Sequence, residues 1–270
     1  MHIFTDADNT LWDTNDVYAQ AQLWMLREVE ARVGVSVPAA DDNGLAFLRA
    51  VDQRIAKIHL RGLRYPPALL ASGLALALQG KPPEEAAALS IAASNRGDGA
   101  AKFHDCADGF LVRLRNLPQL RPGVAEGLPA LVSLQGFPVT IVTEESRERC
   151  EARLAAHGLN GLVDEIVSAN KNRNLYRHLR QRWPAAADQA VMIGDQFDRD
   201  VEPARQEGYR AFHFPGGFNP FWTALTADGR TDVDTVMDFR EIATKLADPI
   251  EVRSRPVAKH SVGSRPAQRS

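Results

Sequence analysis

Beyond residue 120 the chain alternates between two kinds of segment, and this alternation restricts its fold more than any other feature. Apolar, β-branched runs at 137–143 (Phe-Pro-Val-Thr-Ile-Val-Thr), 162–168, 190–195 and 209–214 read as buried strands. Between and after them, 124–134, 146–158, 175–182, 200–208 and 235–246 read as helices, the last led by Asp232 and Asp234. Arg121-Pro122-Gly123 supplies a turn before the first helix. Strands that alternate with helices build a parallel sheet covered by helices on its faces, so the fold class is α/β, a doubly wound parallel sheet.

The chain begins with one more strand, residues 2–6, which can join that sheet. It ends in two acids one residue apart, Asp6 and Asp8, with a hydroxyl at Thr10. Acids at the end of a buried strand are costly unless something pairs with them, and the partners that justify them are a metal, a nucleophilic role or a proton to donate. A surface turn or helix cap fits Asp8-Asn9-Thr10 as well, because Asp and Asn favour both.

Between this strand and the alternating region lie about a hundred residues of a different kind. Helical periodicity runs through 16–33, 45–60, 67–79, 83–95 and 103–116, and no strand is apparent. Gly34 is a plausible stop for the first helix, 38–44 and 95–99 read as breaks, and 215–220 reads as a loop. The division expected is a core of residues 1–14 and 118–250, a helical insertion at 15–117, and a disordered tail at 251–270, where 253–270 is rich in Arg, Ser and Pro and contains no acid. The Ala/Leu-rich segment at 67–79 falls short of the ~18 apolar residues of a membrane span. It also contains Gly73, and reads as a core helix.

With 44% apolar and 24% charged residues the composition is that of a globular protein, and a net charge of −2 gives no support to a nucleic-acid partner. The N-terminus has no basic stretch followed by a long apolar one, so neither a signal peptide nor a membrane partner is expected. Cys106 and Cys150 have neither metal-ligand spacing nor a disulfide framework, which fits reduced thiols and a cytoplasmic protein.

Ligands of open parallel sheets bind beyond the carboxyl ends of the strands. The residues expected there are Asp6, Asp8 and Thr10 after the first strand, Thr143 and Glu144 after the second, Asn170-Lys171-Asn172 after the third, and Gly194-Asp195 with Asp198 and Asp200 after the fourth. Alone, Lys171 fits a solvated surface lysine and Thr143 a helix N-cap. Together the four strand ends deliver acids, a hydroxyl and a cation to one edge.

These motifs resemble those of the haloacid dehalogenase superfamily. Asp6-Ala7-Asp8-Asn9-Thr10 is similar to its first motif, with Asn9 where Gly is usual. Thr143 matches the second motif, and Lys171 the third, without the Pro that often follows the lysine. Gly194-Asp195 with Asp200 matches the fourth. The resemblance implies a Rossmann-like core with an α-helical cap inserted between the first and second motifs. It implies Asp6 as the nucleophile that forms an aspartyl-phosphate, and Asp8 as general acid and base. Thr143 and Lys171 would bind the phosphoryl group. Mg²⁺ would be held by Asp6, the backbone carbonyl of Asp8 and Asp195, with Thr10 and Asp200 organising the site and Asp198 as the alternative to Asp200. Trp12 fits either a shield over the site or a core aromatic.

The function implied is a Mg²⁺-dependent phosphatase acting on a small phosphorylated metabolite. Asp8 argues against a dehalogenase, since carbon–halogen cleavage needs no proton donor to an oxygen leaving group. A phosphomutase or phosphotransferase, and a catalytically silent binding protein, are the alternatives. In the insertion, His59, Arg61, Arg64, Tyr65, His104 and Asp105 are the polar residues to consider as substrate selectors, although each taken singly reads first as a surface or packing residue.

Overall fold

The computed structural model describes residues 1–37, 44–97, 100–134, 137–183, 189–216 and 233–247. The expected loop at 38–44, the break at 95–99 and the loop at 215–220 fall partly outside these residues, and the tail at 251–270 wholly so.

Six strands form one sheet: β1 (His2–Thr5), β2 (Val139–Thr143), β3 (Glu165–Ser168), β4 (Ala190–Gly194), β5 (Arg210–His213) and β6 (Asp234–Thr235). Their order is β3-β2-β1-β4-β5-β6, and every adjacent pair is parallel. The chain runs outward from central β1 through β2 to β3, then returns to β4 on the other side of β1. The connections therefore diverge between β1 and β4, the place where such sheets hold ligands.

Side chains alternate across the strands and both faces are buried. Ile3, Ile141, Val191 and Ile193 point into one cluster with Leu128, Leu154 and Ile242, which come from α6 (Val124–Ser133), α7 (Arg147–Ala156) and α10 (Arg240–Ala247). Phe4, Val142 and Met192 point into the other with Tyr176, Leu179 and Ala204, from α8 (Arg173–Arg182) and α9 (Glu202–Gln206). Ser146 caps α7 by accepting from the Arg149 amide, and Asn172 caps α8 by accepting from that of Leu175.

Among the described residues every element between Thr14 and Arg113 is helical, and the α-helices are α1 (Thr14–Val33), α2 (Gly44–Ile58), α3 (Pro67–Leu78), α4 (Pro83–Asn95) and α5 (His104–Arg113). These helices share a hydrophobic cluster of their own, including Met25, Val29, Leu48, Val51, Leu70, Leu74 and Phe110. Gly34 ends α1 in the left-handed conformation, φ 71°. Helix α3 is buried on most sides, so the Ala/Leu-rich segment is a core helix. Among the described residues no helix is long and apolar enough to cross a membrane.

Two expectations need correction. The last helix does not start at 235: Asp234 and Thr235 pair with Phe212 and His213 as β6, and α10 begins at Arg240. The Asp238 carboxylate accepts from the Arg240 amide, while Glu241 accepts from those of Met237 and Asp238, so capping fixes the start there. The helix expected over 200–208 is a π-helical turn, Phe197–Val201, followed by the short α9.

Candidate active site

The loop after β1 is a tight turn. The amides of Thr10 and Leu11 donate to the Ala7 carbonyl (3.2 and 2.8 Å), and that of Asn9 to Trp12 (2.7 Å). Asn9 takes the left-handed conformation for which Gly is the usual residue, φ 59°, as Asn can. Its Oδ1 accepts from Thr14 Oγ1 and the Asn15 amide, both at 2.8 Å, and so ties the turn to the start of α1. The turn folds Thr10 back onto Asp6, with Thr10 Oγ1 donating to Asp6 Oδ2 at 3.1 Å. It likewise places Trp12 beside Asp8, with Trp12 Nε1 donating to Asp8 Oδ1 at 3.0 Å. Trp12 is fully buried in the cluster under the sheet, so it is a core aromatic whose one polar atom holds Asp8.

At the divergence point, carboxylate oxygens of Asp6, Asp195 and Asp200 lie within 4.8 Å of one another. Asp6 follows β1 and Asp195 follows β4. Asp200 reaches back from the π-helical turn, whose widened geometry is typical of functional sites. Gly194 makes this approach possible: a Cβ there would lie 2.5 Å from Asp200 Cγ. Asp200 Oδ2 accepts from the Gln196 amide at 3.1 Å. The backbone of Gly216 also closes on the cluster, where a Cβ would come 2.5 Å from Asp195 Oδ2, and Asn15 Nδ2 donates to the Gly216 carbonyl.

Lys171 enters from the loop after β3. Its Nζ pairs with Asp6 Oδ1 and, at 2.7 Å, with Asp200 Oδ1. Burial alone would lower the ammonium pKa, but Asp6 and Asp200 outweigh it and hold that pKa above the ordinary lysine value. One lysine does not neutralise three carboxyls. Burial first, and then the charges of Asp6 and Asp200, push Asp195 well above the carboxylate range, and burial with Asp6 does the same to Asp200. Asp195 Oδ1 is buried with no hydrogen-bond partner. An orphaned carboxylate oxygen among acids, in an all-oxygen donor set, fits a hard divalent cation.

Thr143 is buried at the end of β2, beside β1, and its Oγ1 accepts from the Glu145 amide at 3.1 Å. Glu144 accepts from the Lys171 amide at 3.0 Å and pairs with Arg199, which anchors the lysine loop to the Thr143 turn. Asp198 is exposed, so of the two candidates it is Asp200 that joins the cluster.

The sequence reading missed Arg153 and Glu145. Arg153 Nη1, from α7, donates to Asp8 Oδ1 at 2.7 Å and to Glu145 Oε2 at 2.6 Å. Burial and then Asp6 raise the Asp8 pKa, against Arg153 and the Trp12 bond. Burial and then Asp8 raise Glu145 to about 6. Arg153 carries no local pattern that would mark it. Its one signal is a charge on a helix whose neighbours Cys150 and Leu154 are core residues.

In the insertion, Arg61, Arg64 and Tyr65 line a cavity of about 440 Å³ with Tyr18 and Phe110. Tyr65 is mostly buried and donates its hydroxyl to buried Asp52, which also accepts from Gln22 Nε2 at 3.0 Å. Asp105 is instead paired with Arg32.

A sequence model described as haloacid dehalogenase-like hydrolase matches residues 1–208. A phosphoglycolate phosphatase of Synechococcus elongatus is 33% identical over 133 residues, 47% of this chain. That match spans 61% of the relative's own length. Among solved structures, a haloacid dehalogenase-like family hydrolase from Xanthomonas campestris superposes with a TM-score of 0.59 at 17% identity, over 91% of this chain and 94% of that one. A haloacid dehalogenase-like family protein from Streptococcus pneumoniae gives 0.51 at 18% identity, over 91% and 97%. At such identities these structures show the shared fold.

Proposed function

The chain belongs to the haloacid dehalogenase-like hydrolase family, and on that premise we propose that it is a Mg²⁺-dependent phosphatase that hydrolyses a small phosphorylated metabolite through an aspartyl-phosphate on Asp6. The observation that carries this reading is the buried cluster of Asp6, Asp195 and Asp200 around Lys171, with Asp195 Oδ1 unpaired.

Asp6, the backbone carbonyl of Asp8 and Asp195 would hold the cation, with Asp200 beside them. When bound, it supplies positive charge that neutralises the acids and the phosphate oxygens together. An Asp6 carboxylate oxygen attacks phosphorus. The ester P–O bond breaks, and the leaving oxygen takes a proton from the Asp8 carboxyl. Asp8, now ionised, accepts a proton from a water whose oxygen attacks the phosphoryl group. The bond to Asp6 then breaks and inorganic phosphate leaves. Lys171 and the Thr143 hydroxyl hold the phosphoryl oxygens as their charge develops. Thr10 keeps the Asp6 carboxylate oriented through its bond to Oδ2.

Residues 15–117 act as the cap that closes over the substrate. Their separate hydrophobic cluster supports this division, and Arg61 and Arg64 are the basic groups of their cavity. The phosphoglycolate phosphatase relative supports a small phosphate monoester as substrate. We place the protein in the cytoplasm, where its two buried free cysteines stay reduced.

The test is phosphate release from a panel of phosphorylated metabolites and a generic aryl phosphate, with Mg²⁺ and with EDTA. Release that requires Mg²⁺ is expected. No release from any ester would refute the reading.

A further inference from the structure

We propose that Arg153, Glu145 and Trp12 form a brace that fixes the Asp8 carboxyl by its Oδ1, making Oδ2 the atom that gives a proton to the leaving group and takes one from water. The inference rests on the phosphatase reading above and assigns the three residues as positioning residues for its acid–base step.

Two donors converge on one oxygen. Trp12 Nε1 lies 3.0 Å and Arg153 Nη1 2.7 Å from Asp8 Oδ1. An oxygen accepting two N–H bonds does not carry the carboxyl proton towards them, so the proton sits on Oδ2. The same Oδ2 is then the basic atom in the second half of the reaction. Because Oδ1 is held from two directions, the carboxyl keeps its orientation between the steps, and near-attack geometry is what such positioning supplies.

The brace is itself held. Arg153 Nη1 also donates to Glu145 Oε2 at 2.6 Å, and the arginine and glutamate side chains are only 17% and 10% exposed, unlike the solvated pairs of a protein surface. The Arg153 guanidinium lies 5.7 Å from the Trp12 ring, which stacks on His157 from the end of α7. Glu145 has a second attachment, its amide donating to Thr143 Oγ1. The hydroxyl proposed to meet the phosphoryl group and the acid proposed to protonate the leaving group therefore share one mount.

A general acid matters most when the leaving group is a poor one. Second-order rate constants (kcat/KM) report the steps through enzyme phosphorylation, so a misplaced Asp8 slows an alkyl ester and spares a dinitrophenyl ester, whose phenolate leaves without a proton. For Arg153→Ala we expect kcat/KM on the best alkyl phosphate of the panel to fall by about 10- to 100-fold and that on dinitrophenyl phosphate to stay within about twofold. Arg153→Lys, which keeps a charged donor, should restore most of the loss. Trp12→Phe and Glu145→Gln should show the same ester dependence with smaller losses; they keep ring packing and an acceptor, and they decide the matter if Arg153→Ala does not fold. Equal losses on both esters, or an alkyl-ester rate that is unchanged or raised, would overturn the brace while leaving the phosphatase intact. A wild-type protein inactive on every ester would overturn the phosphatase reading and the brace with it.

Discussion

Gly194→Ala probes how the fold makes room for the site. Gly194 lies outside the left-handed region, so an alanine there meets no backbone strain and its cost in the folded state comes from contact. The added methyl would stand 2.5 Å from Asp200 Cγ and 2.7 Å from Oδ2, and closer still to Cβ. Carbon atoms pack at about 3.5–4.0 Å, so Asp200 must retreat by roughly 1 Å or more. Its bonds to the Gln196 amide and Lys171 oppose that movement. Overpacking of this kind costs about 1–3 kcal/mol. The alanine returns about 0.4–1 kcal/mol by restricting the unfolded chain, which leaves a net loss of roughly 0–2.6 kcal/mol. Activity should suffer more than stability, because a displacement of about 1 Å in a catalytic cluster costs about 100-fold. Urea denaturation and Mg²⁺-dependent phosphate release measure the two effects separately. Wild-type stability and turnover in Gly194→Ala would show that Asp200 is not pressed against the end of β4.

The cation should show itself in the pH dependence of stability. Asp195 and Asp200 are raised in the folded state, so the folded protein holds protons that the unfolded chain has released, and stability falls as pH climbs from the ordinary carboxylate value towards the raised ones. Mg²⁺ relieves this, so its stabilisation over EDTA should be larger at about pH 8 than at about pH 5.5, and a pH-independent difference in thermal melts would count against the cluster as its site. Asp200→Asn should cut turnover by roughly 100-fold. Asp198→Asn, at an exposed position, should leave stability within about 0.5 kcal/mol. Asp52→Ala leaves the Tyr65 hydroxyl and Gln22 without their acceptor. It should cost about 1–3 kcal/mol in urea melts, and an unchanged midpoint would show that this pair is not buried as described.

Much of this site is legible in the sequence because its parts sit at the ends of strands. Asp6, Thr143, Lys171 and Asp195 each follow an apolar run, and a parallel sheet brings such ends to one edge whatever the intervening chain does. The helices of the insertion were equally plain, since periodicity and Gly or Pro punctuation are local signals. What escaped was either nonlocal or too short to have a period. Arg153 meets Asp8 across 145 positions, and nothing near either residue announces the other. The role of Trp12 stayed open because burial and its bond to Asp8 are both properties of the folded turn. Strand β6 is two residues long, too short to alternate, and is defined only by pairing with β5. The selectors in the insertion were equally hidden: Tyr65 and Asp105 carry the same polar signal, yet one packs on Asp52 beside the cavity and the other pairs with Arg32.

In the proposed reaction Asp6 carries the phosphoryl group. Acid quenching during turnover of the best substrate, followed by mass analysis of the intact chain and its peptides, tests it most directly. A single phosphoryl adduct on the peptide containing Asp6, absent from Asp6→Asn together with turnover, is the result expected. Steady turnover by Asp6→Asn, or an adduct on a peptide that lacks Asp6, would contradict it.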